Sequence, residues 1–105
     1  MINSKIINTI KTSVHTIIPG VRILLFGSMA HGNSNENSDY DVLVITSDTL
    51  PVREKLNSKN KIRKSLVSAL HAPVDVLLSS EEEVRVKKKL QGHIIKWAFE
   101  GGIEL

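Results

Sequence analysis

The sequence predicts an α+β fold, an α/β sandwich in which helices pack against a β-sheet. Three short aliphatic runs, at 21–26, 40–46 and 74–78, have the length and composition of buried strands. Helical patterns, with apolar residues three or four positions apart, precede, separate and follow these runs. The predicted order is therefore α-β-turn-β-α-β-α, and from this order alone the first two strands could pair in either direction.

Proline, glycine and capping residues predict where the helices begin and end. The first helix is predicted over 3–18, where Pro19-Gly20 ends it. The second begins at Pro51 and runs to about residue 70, with a polar middle at 57–61 that is expected to fray or break. A capping-box pattern, Ser80 with a glutamate three residues later, begins the third.

Glycine positions and helical spacing also divide the last part of the chain. The third helix is interrupted near Gln91-Gly92 and resumes at 93–98 before Gly101-Gly102. Residues 103–105 are interpreted as a short apolar tail. Trp97 is interpreted as a core or interface residue rather than one that stacks on a nucleobase.

Length and composition exclude several classes of protein. A chain of 105 residues is expected to form one domain, spanning 1–105. It has no cysteine, which excludes a disulfide framework, a thiol nucleophile and Cys-ligated zinc. The apolar runs are too short to cross a bilayer and no signal-peptide pattern is present, so we expect a cytoplasmic protein without membrane contact. With a net charge of +3 and scattered aromatic residues, nucleic acid is not an expected partner.

Two acids close the polar segment between the first two strands. This segment, residues 27–41, reads GSMAHGNSNENSDYD. Residues i and i+2 of a strand point to the same face, so Asp39 and Asp41 are expected side by side, with Cα atoms roughly 6.5–7 Å apart. Mg²⁺ is usually held by one or two carboxylates together with substrate phosphates. The pair therefore predicts a magnesium site, and the alternative is a polar hairpin loop with two surface acids.

The start of the same segment predicts a phosphate site. Gly27 lets the backbone approach a ligand closely. Backbone N–H groups at a turn that opens a helix bind phosphate, and the hydroxyl of Ser28 can add a hydrogen bond. A phosphate site beside an acid pair indicates metal-assisted phosphoryl or nucleotidyl transfer.

The motif G-S-x-A-x-G, followed by a short polar loop, S-D-x-D and an apolar strand, resembles the signature of the nucleotidyltransferase superfamily related to DNA polymerase β. It is most similar to the minimal nucleotidyltransferases of bacteria and archaea, small domains often paired with a HEPN-domain protein in toxin–antitoxin modules. The matching positions are Gly27, Ser28, Ala30, Gly32, Ser38, Asp39 and Asp41.

The resemblance implies a mixed sheet and an enzyme that transfers a nucleotide, AMP from ATP, to a hydroxyl with two Mg²⁺ ions. It implies that Gly27, Ser28 and Ser38 bind the nucleotide. The implied acceptor is a tyrosine of a cognate HEPN toxin, so the protein would act as an antitoxin. Two other functions stay open: a binding antitoxin without catalysis, and nucleotidylation of a small molecule as in aminoglycoside resistance.

Asp75 and His31 each allow more than one assignment. Asp75 is the one acid in the apolar third strand, where an unpaired charge is costly. It is either an edge-strand acid facing water or, as the resemblance implies, a third carboxylate that binds metal or accepts the proton of the attacking hydroxyl. His31 stands where many family members have Arg or Lys, and its contact with phosphate is left open.

Overall fold

The computed structural model describes residues 3–27 and 39–105. Across these residues the chain forms four helices and four strands. In chain order they are α1 (Ser4–Ile17), β1 (Arg22–Phe26), β2 (Tyr40–Thr46), α2 (Val52–Leu70), β3 (Val74–Ser80), α3 (Glu81–Lys87), α4 (Ile94–Gly101) and β4 (Ile103–Glu104). The predicted order of helices and strands is confirmed, with the last helical region divided into α3 and α4 and one strand added at the end.

The strands of the described region form a mixed sheet in the order β3-β2-β1-β4. β1 pairs with β2 and with β4 in antiparallel fashion, whereas β2 and β3 are parallel, joined by the crossover helix α2. The mixed sheet is therefore confirmed, and the open question of how the first two strands pair is settled as antiparallel.

The sheet is covered on both faces by helices. Val42 and Val44 of β2 belong to the core cluster that packs against α1 and α2. Leu43 and Ile45 belong to a second cluster that includes Val84 of α3 and residues of α4. The prediction that β2 is central and covered on both sides is confirmed. Burial fixes this strand firmly, which matters because it carries two of the predicted site residues.

Two predictions about helices and the end of the chain were wrong in part. The polar middle of α2 does not break the helix, since Ile62 and Leu66, both fully buried, fix it to the core. The apolar tail forms β4, in which Ile103 pairs with Leu25 of β1. This pairing satisfies the backbone groups of β1 that lie opposite β4. A strand of two residues is too short to show an alternating pattern in the sequence, so it was not predicted.

The helix α3 begins at the predicted capping box. The capping box at α3 is confirmed: Ser80 Oγ accepts from the Glu83 N–H at 3.1 Å, and the Glu83 carboxylate accepts from the Ser80 N–H at 2.9 Å. The interruption near Gly92 is wider than predicted, from Lys88 to His93. None of the described helices has the length and apolar character that crossing a bilayer requires.

Candidate active site

Three acids lie near one end of the sheet. The parallel register of β2 and β3 places Asp41 directly beside Asp75. Neighbouring strands are about 4.8 Å apart, and residues in register across parallel strands point to the same face. Asp39 lies two residues before Asp41, where the chain enters β2. The structure thus brings together two acids that the sequence separates by the whole of α2.

Asp41 and Asp75 share the sheet face that α3 and α4 cover. Asp41 alternates with Leu43 and Ile45, which belong to the core cluster on that face. Across the sheet Asp41 also pairs with Phe26 of β1, another member of that cluster. The acids therefore lie at the rim of the α3/α4 face, where the apolar layer gives way to solvent.

The three acids carry like charges close together, and one of them is partly buried. Asp39 and Asp75 are exposed, whereas Asp41 is half-buried. Burial raises the pKa of the Asp41 carboxyl above its ordinary value, and the negative charges of Asp75 and Asp39 raise it further. Among the described residues no Lys, Arg or His forms an ion pair with any of the three. The described surroundings thus leave the acids' mutual repulsion without a cationic partner.

The acids do not form a closed metal-binding cage. Within 3–27 and 39–105, no three side chains of Asp, Glu, His or Cys are grouped tightly enough to hold a metal ion. An open set of carboxylate oxygens, with Asp41 and Asp75 adjacent, nevertheless fits Mg²⁺, which commonly takes one or two protein carboxylates and completes its shell with water and substrate phosphate. The donor chemistry suits a cation shared with a bound nucleotide better than a permanent structural metal.

Gly27 lies directly against Asp41. Its φ is +78°, in the left-handed region that favours glycine. A Cβ added there would collide with Asp41 Oδ2 and lie 3.3 Å from Asp41 Cγ. The sequence suggested that Gly27 lets a ligand approach the backbone. The structure adds a second reason for glycine, because the turn must pass the carboxylate of Asp41.

Four of the motif positions and His31 cannot be placed. Ser28, Ala30, Gly32, His31 and Ser38 lie outside the described residues. The predicted short helical turn after Ser28 lies there too. The contacts of Ser28 and Ser38 with nucleotide stay predictions, as does the open question of His31.

An aromatic pair beside the acids was not predicted. Trp97 of α4 packs edge-to-face on Phe26, with ring centroids 5.6 Å apart and planes at 87°. Trp97 is 54% exposed, so it is not a core residue. The only sequence signal was the position of Phe26 just before Gly27, and nothing local connects that residue with Trp97.

The mixed sheet with helices on both faces is the fold of a polymerase β-like nucleotidyltransferase. Asp41 and Asp75 lie on neighbouring strands of this sheet, and Asp39 lies just before the first of them. The model of the nucleotidyltransferase domain family matches residues 7–101. The chain therefore belongs to this family and is a nucleotidyltransferase.

Individual relatives agree with this assignment. A protein of Methanocaldococcus jannaschii, provisionally named a protein adenylyltransferase, is 31% identical over 103 residues, covering 96% of each chain. A crystal structure of a toxin–antitoxin complex with AMP-PNP contains a chain with 26% identity and a TM-score of 0.67, covering 92% of this chain and 69% of that one. At 21% identity, a solved complex of the tri-AMPylated Shewanella oneidensis HEPN toxin with its MNT antitoxin shows the same fold, with a TM-score of 0.61 over 96% of this chain and 69% of that one.

Proposed function

We propose that the protein transfers AMP from ATP to a tyrosine hydroxyl of a cognate HEPN-domain toxin and thereby acts as its antitoxin. The observation that carries the catalytic part is the register of β2 and β3, which sets Asp41 beside Asp75 with Gly27 against the same carboxylate. The acceptor is supported by similarity to a protein adenylyltransferase and to antitoxin chains solved with HEPN toxins.

Each residue has a defined task in this proposal. Asp39, Asp41 and Asp75 would hold two Mg²⁺ ions, which would supply neutralisation of the phosphate charge and stabilisation of the attacking and leaving oxygens. The turn at Gly27, with Ser28 and Ser38, binds the triphosphate through backbone N–H groups and hydroxyls. The protein thus contributes mainly position and electrostatic complementarity.

The transfer is a single displacement at the α-phosphorus of ATP. The tyrosine oxygen forms a bond to the α-phosphorus of ATP, the bond from that phosphorus to the bridging oxygen breaks, and pyrophosphate leaves. The hydroxyl proton goes to a carboxylate of the site. Asp75 suits this task because it is exposed at an edge of the described sheet while it adjoins Asp41, so it can also pass the proton to water.

The geometry favours an enzyme over a partner that only masks a toxin. Like charges held close together oppose folding, and a raised carboxyl pKa is typical of functional sites rather than of solvated surface acids. A protein that only binds has no need to keep Asp41 half-buried beside two other acids.

The proposal is tested by incubating the protein with ATP, Mg²⁺ and a purified HEPN-domain protein encoded by the same genome, followed by mass spectrometry of both proteins. We expect the HEPN protein to gain the mass of one or more AMP groups, located on tyrosine by peptide fragmentation. A stable complex without added mass would indicate a binding antitoxin. A HEPN protein that stays unmodified while ATP is consumed with an aminoglycoside would indicate a small-molecule enzyme, and either result would overturn the proposal.

A further inference from the structure

Trp97 lies next to the turn that leads into the proposed nucleotide site. Its ring packs on Phe26, the last residue of β1, which pairs with Asp41 and directly precedes Gly27. Phe26 lies on the α3/α4 face of the sheet, the same face as Asp41 and Asp75. The indole is thus fixed on the side of the sheet where a nucleotide bound at Gly27 would extend.

The indole also has an open surface. In an edge-to-face pair the partner ring covers at most one face of the indole, whichever ring supplies the edge. The side chain is 54% exposed, in agreement with a face that Phe26 leaves uncovered. A flat ligand can therefore stack on Trp97 without displacing Phe26.

Polar residues line a surface cavity beside the indole. Trp97 lines a surface cavity of about 320 Å³ together with Gln91, His93 and the ion-paired Lys96 and Glu100. Small-molecule sites typically combine an aromatic wall with a few polar groups, in volumes from about 300 Å³ upward. The lining offers a stacking surface and hydrogen-bonding groups at its rim, which a heteroaromatic ring uses and an aliphatic side chain does not.

The histidine in this cavity has a defined free nitrogen. His93 Nδ1 accepts a hydrogen bond from the Ile95 N–H at 3.1 Å, which caps α4. In the neutral ring the proton therefore resides on Nε2, so that nitrogen is a donor. A donor at the cavity rim can meet a ring nitrogen of a base.

We propose that Trp97 is the stacking surface for the nucleobase of the bound nucleoside triphosphate. This inference rests on the proposed function, because it takes the phosphates to lie at the Gly27 turn. Stacking on an aromatic ring is tolerant of base identity, since every base has a π-face. Any preference for adenine would then come from the polar rim rather than from Trp97.

A docking surface for the protein acceptor is the competing assignment. Leu90 and Ile94, which flank this cavity in sequence, are 48% and 47% exposed. Exposed apolar residues in one region are typical of interaction surfaces. The two assignments differ in which molecule changes the environment of the indole, and this difference can be measured.

Intrinsic fluorescence gives that measurement, because Trp97 is the sole tryptophan of the chain. The wild-type protein is titrated with ATP and, separately, with inorganic tripolyphosphate, both with Mg²⁺, and binding is followed in parallel by calorimetry. We expect saturating ATP to quench the tryptophan emission, whereas tripolyphosphate binds without quenching. Emission that responds to the HEPN protein and not to ATP would overturn the proposal in favour of docking.

Variants separate stacking from a merely structural role. Trp97→Leu is expected to weaken ATP binding roughly 5-fold to 150-fold while tripolyphosphate affinity stays unchanged, and Trp97→Phe should retain most of the affinity. Ile94→Ala, one turn earlier on α4 and also exposed, is the control and should bind ATP normally.

Two results would contradict this account in different ways. Wild-type ATP affinity in a folded Trp97→Leu protein, or unchanged emission at saturating ATP, would overturn the stacking role alone. Absence of binding by both ATP and tripolyphosphate in the wild type would instead overturn the nucleotide site on which it rests. If Trp97→Leu does not fold, as judged by circular dichroism, the wild-type titration and Trp97→Phe decide the matter.

Discussion

Replacing Asp41 by Asn is expected to slow nucleotide transfer by about a hundredfold or more while the protein stays folded. Among the described residues, Asp41 is the acid that adjoins both Asp75 on the next strand and the Gly27 turn. Loss of a single group that stabilises transition-state charge typically costs about 10²–10³-fold in rate. The change is nearly isosteric, so the packing of β2 should persist, and the rate is measured with ATP, Mg²⁺ and the HEPN protein.

Asp48→Asn is the matched control. Asp48 is exposed and follows β2 at its opposite end, away from the other acids. It should transfer nucleotide at the wild-type rate. Wild-type transfer by Asp41→Asn, or an equal loss in Asp48→Asn, would contradict the assignment.

Asp41→Asn is also expected to stabilise the metal-free protein at neutral pH. Burial and the charges of Asp75 and Asp39 raise the pKa of Asp41 in the folded state. The folded state therefore holds its proton to higher pH than the unfolded state, and stability is lost as pH rises from about 4 through the raised pKa. Asn cannot ionise, so the variant escapes this loss.

Thermal unfolding in EDTA at about pH 4 and pH 7 tests whether Asp41→Asn stabilises the protein. The lower pH is chosen because it lies near the ordinary pKa of Asp. At neutral pH Asp41→Asn should unfold at a higher temperature than the wild type, and the difference should shrink at the lower pH. A variant that is less stable than the wild type at neutral pH would mean that the Asp41 charge is compensated within the folded protein.

The second large effect is expected for Gly27→Ala. Its Cβ would force the Asp41 carboxylate or the turn to move, and alanine at φ +78° adds backbone strain. Such strain costs of order 1–3 kcal/mol, and the displaced acid should abolish most transfer. Stability is measured by urea unfolding and activity by AMP transfer.

Gly20→Ala isolates the collision from the strain. Gly20 has nearly the same φ, +76°, but a Cβ there meets nothing within 4 Å. Both variants should lose stability to the same backbone strain, and Gly27→Ala should lose more in total because its Cβ also collides with Asp41. Only Gly27→Ala should lose transfer. Equal activity in both would show that the contact between Gly27 and Asp41 is not needed for catalysis.

Much of this arrangement follows from local sequence. The aliphatic alternation after Asp41 predicts which face the acid shares with Leu43, and the structure confirms it. The capping box at Ser80 is equally local and was also found. These features depend on residues a few positions apart, for which side-chain periodicity and cap chemistry are sufficient.

The rest depends on contacts between distant segments. No local signal specifies that Asp75 pairs in register with Asp41 after a crossover through α2. Asp75 is exposed, lies on an edge strand of the described sheet and is in register with Asp41. This position is compatible with both alternatives for Asp75, an edge-strand acid facing water or a member of the site, so its role stays a prediction. The contact of Trp97 with Phe26 likewise arises only once α4 packs on the sheet.

That Asp39, Asp41 and Asp75 form one metal-dependent transfer centre is tested most directly by following labelled AMP from ATP onto the HEPN protein. The wild type and Asp75→Asn are compared with Mg²⁺, with EDTA, and with Mg²⁺ restored after EDTA. We predict transfer by the wild type with Mg²⁺, loss in EDTA, recovery when Mg²⁺ is restored, and little or no transfer by Asp75→Asn in any condition. Transfer that persists in EDTA, or a wild-type rate in Asp75→Asn, would contradict it.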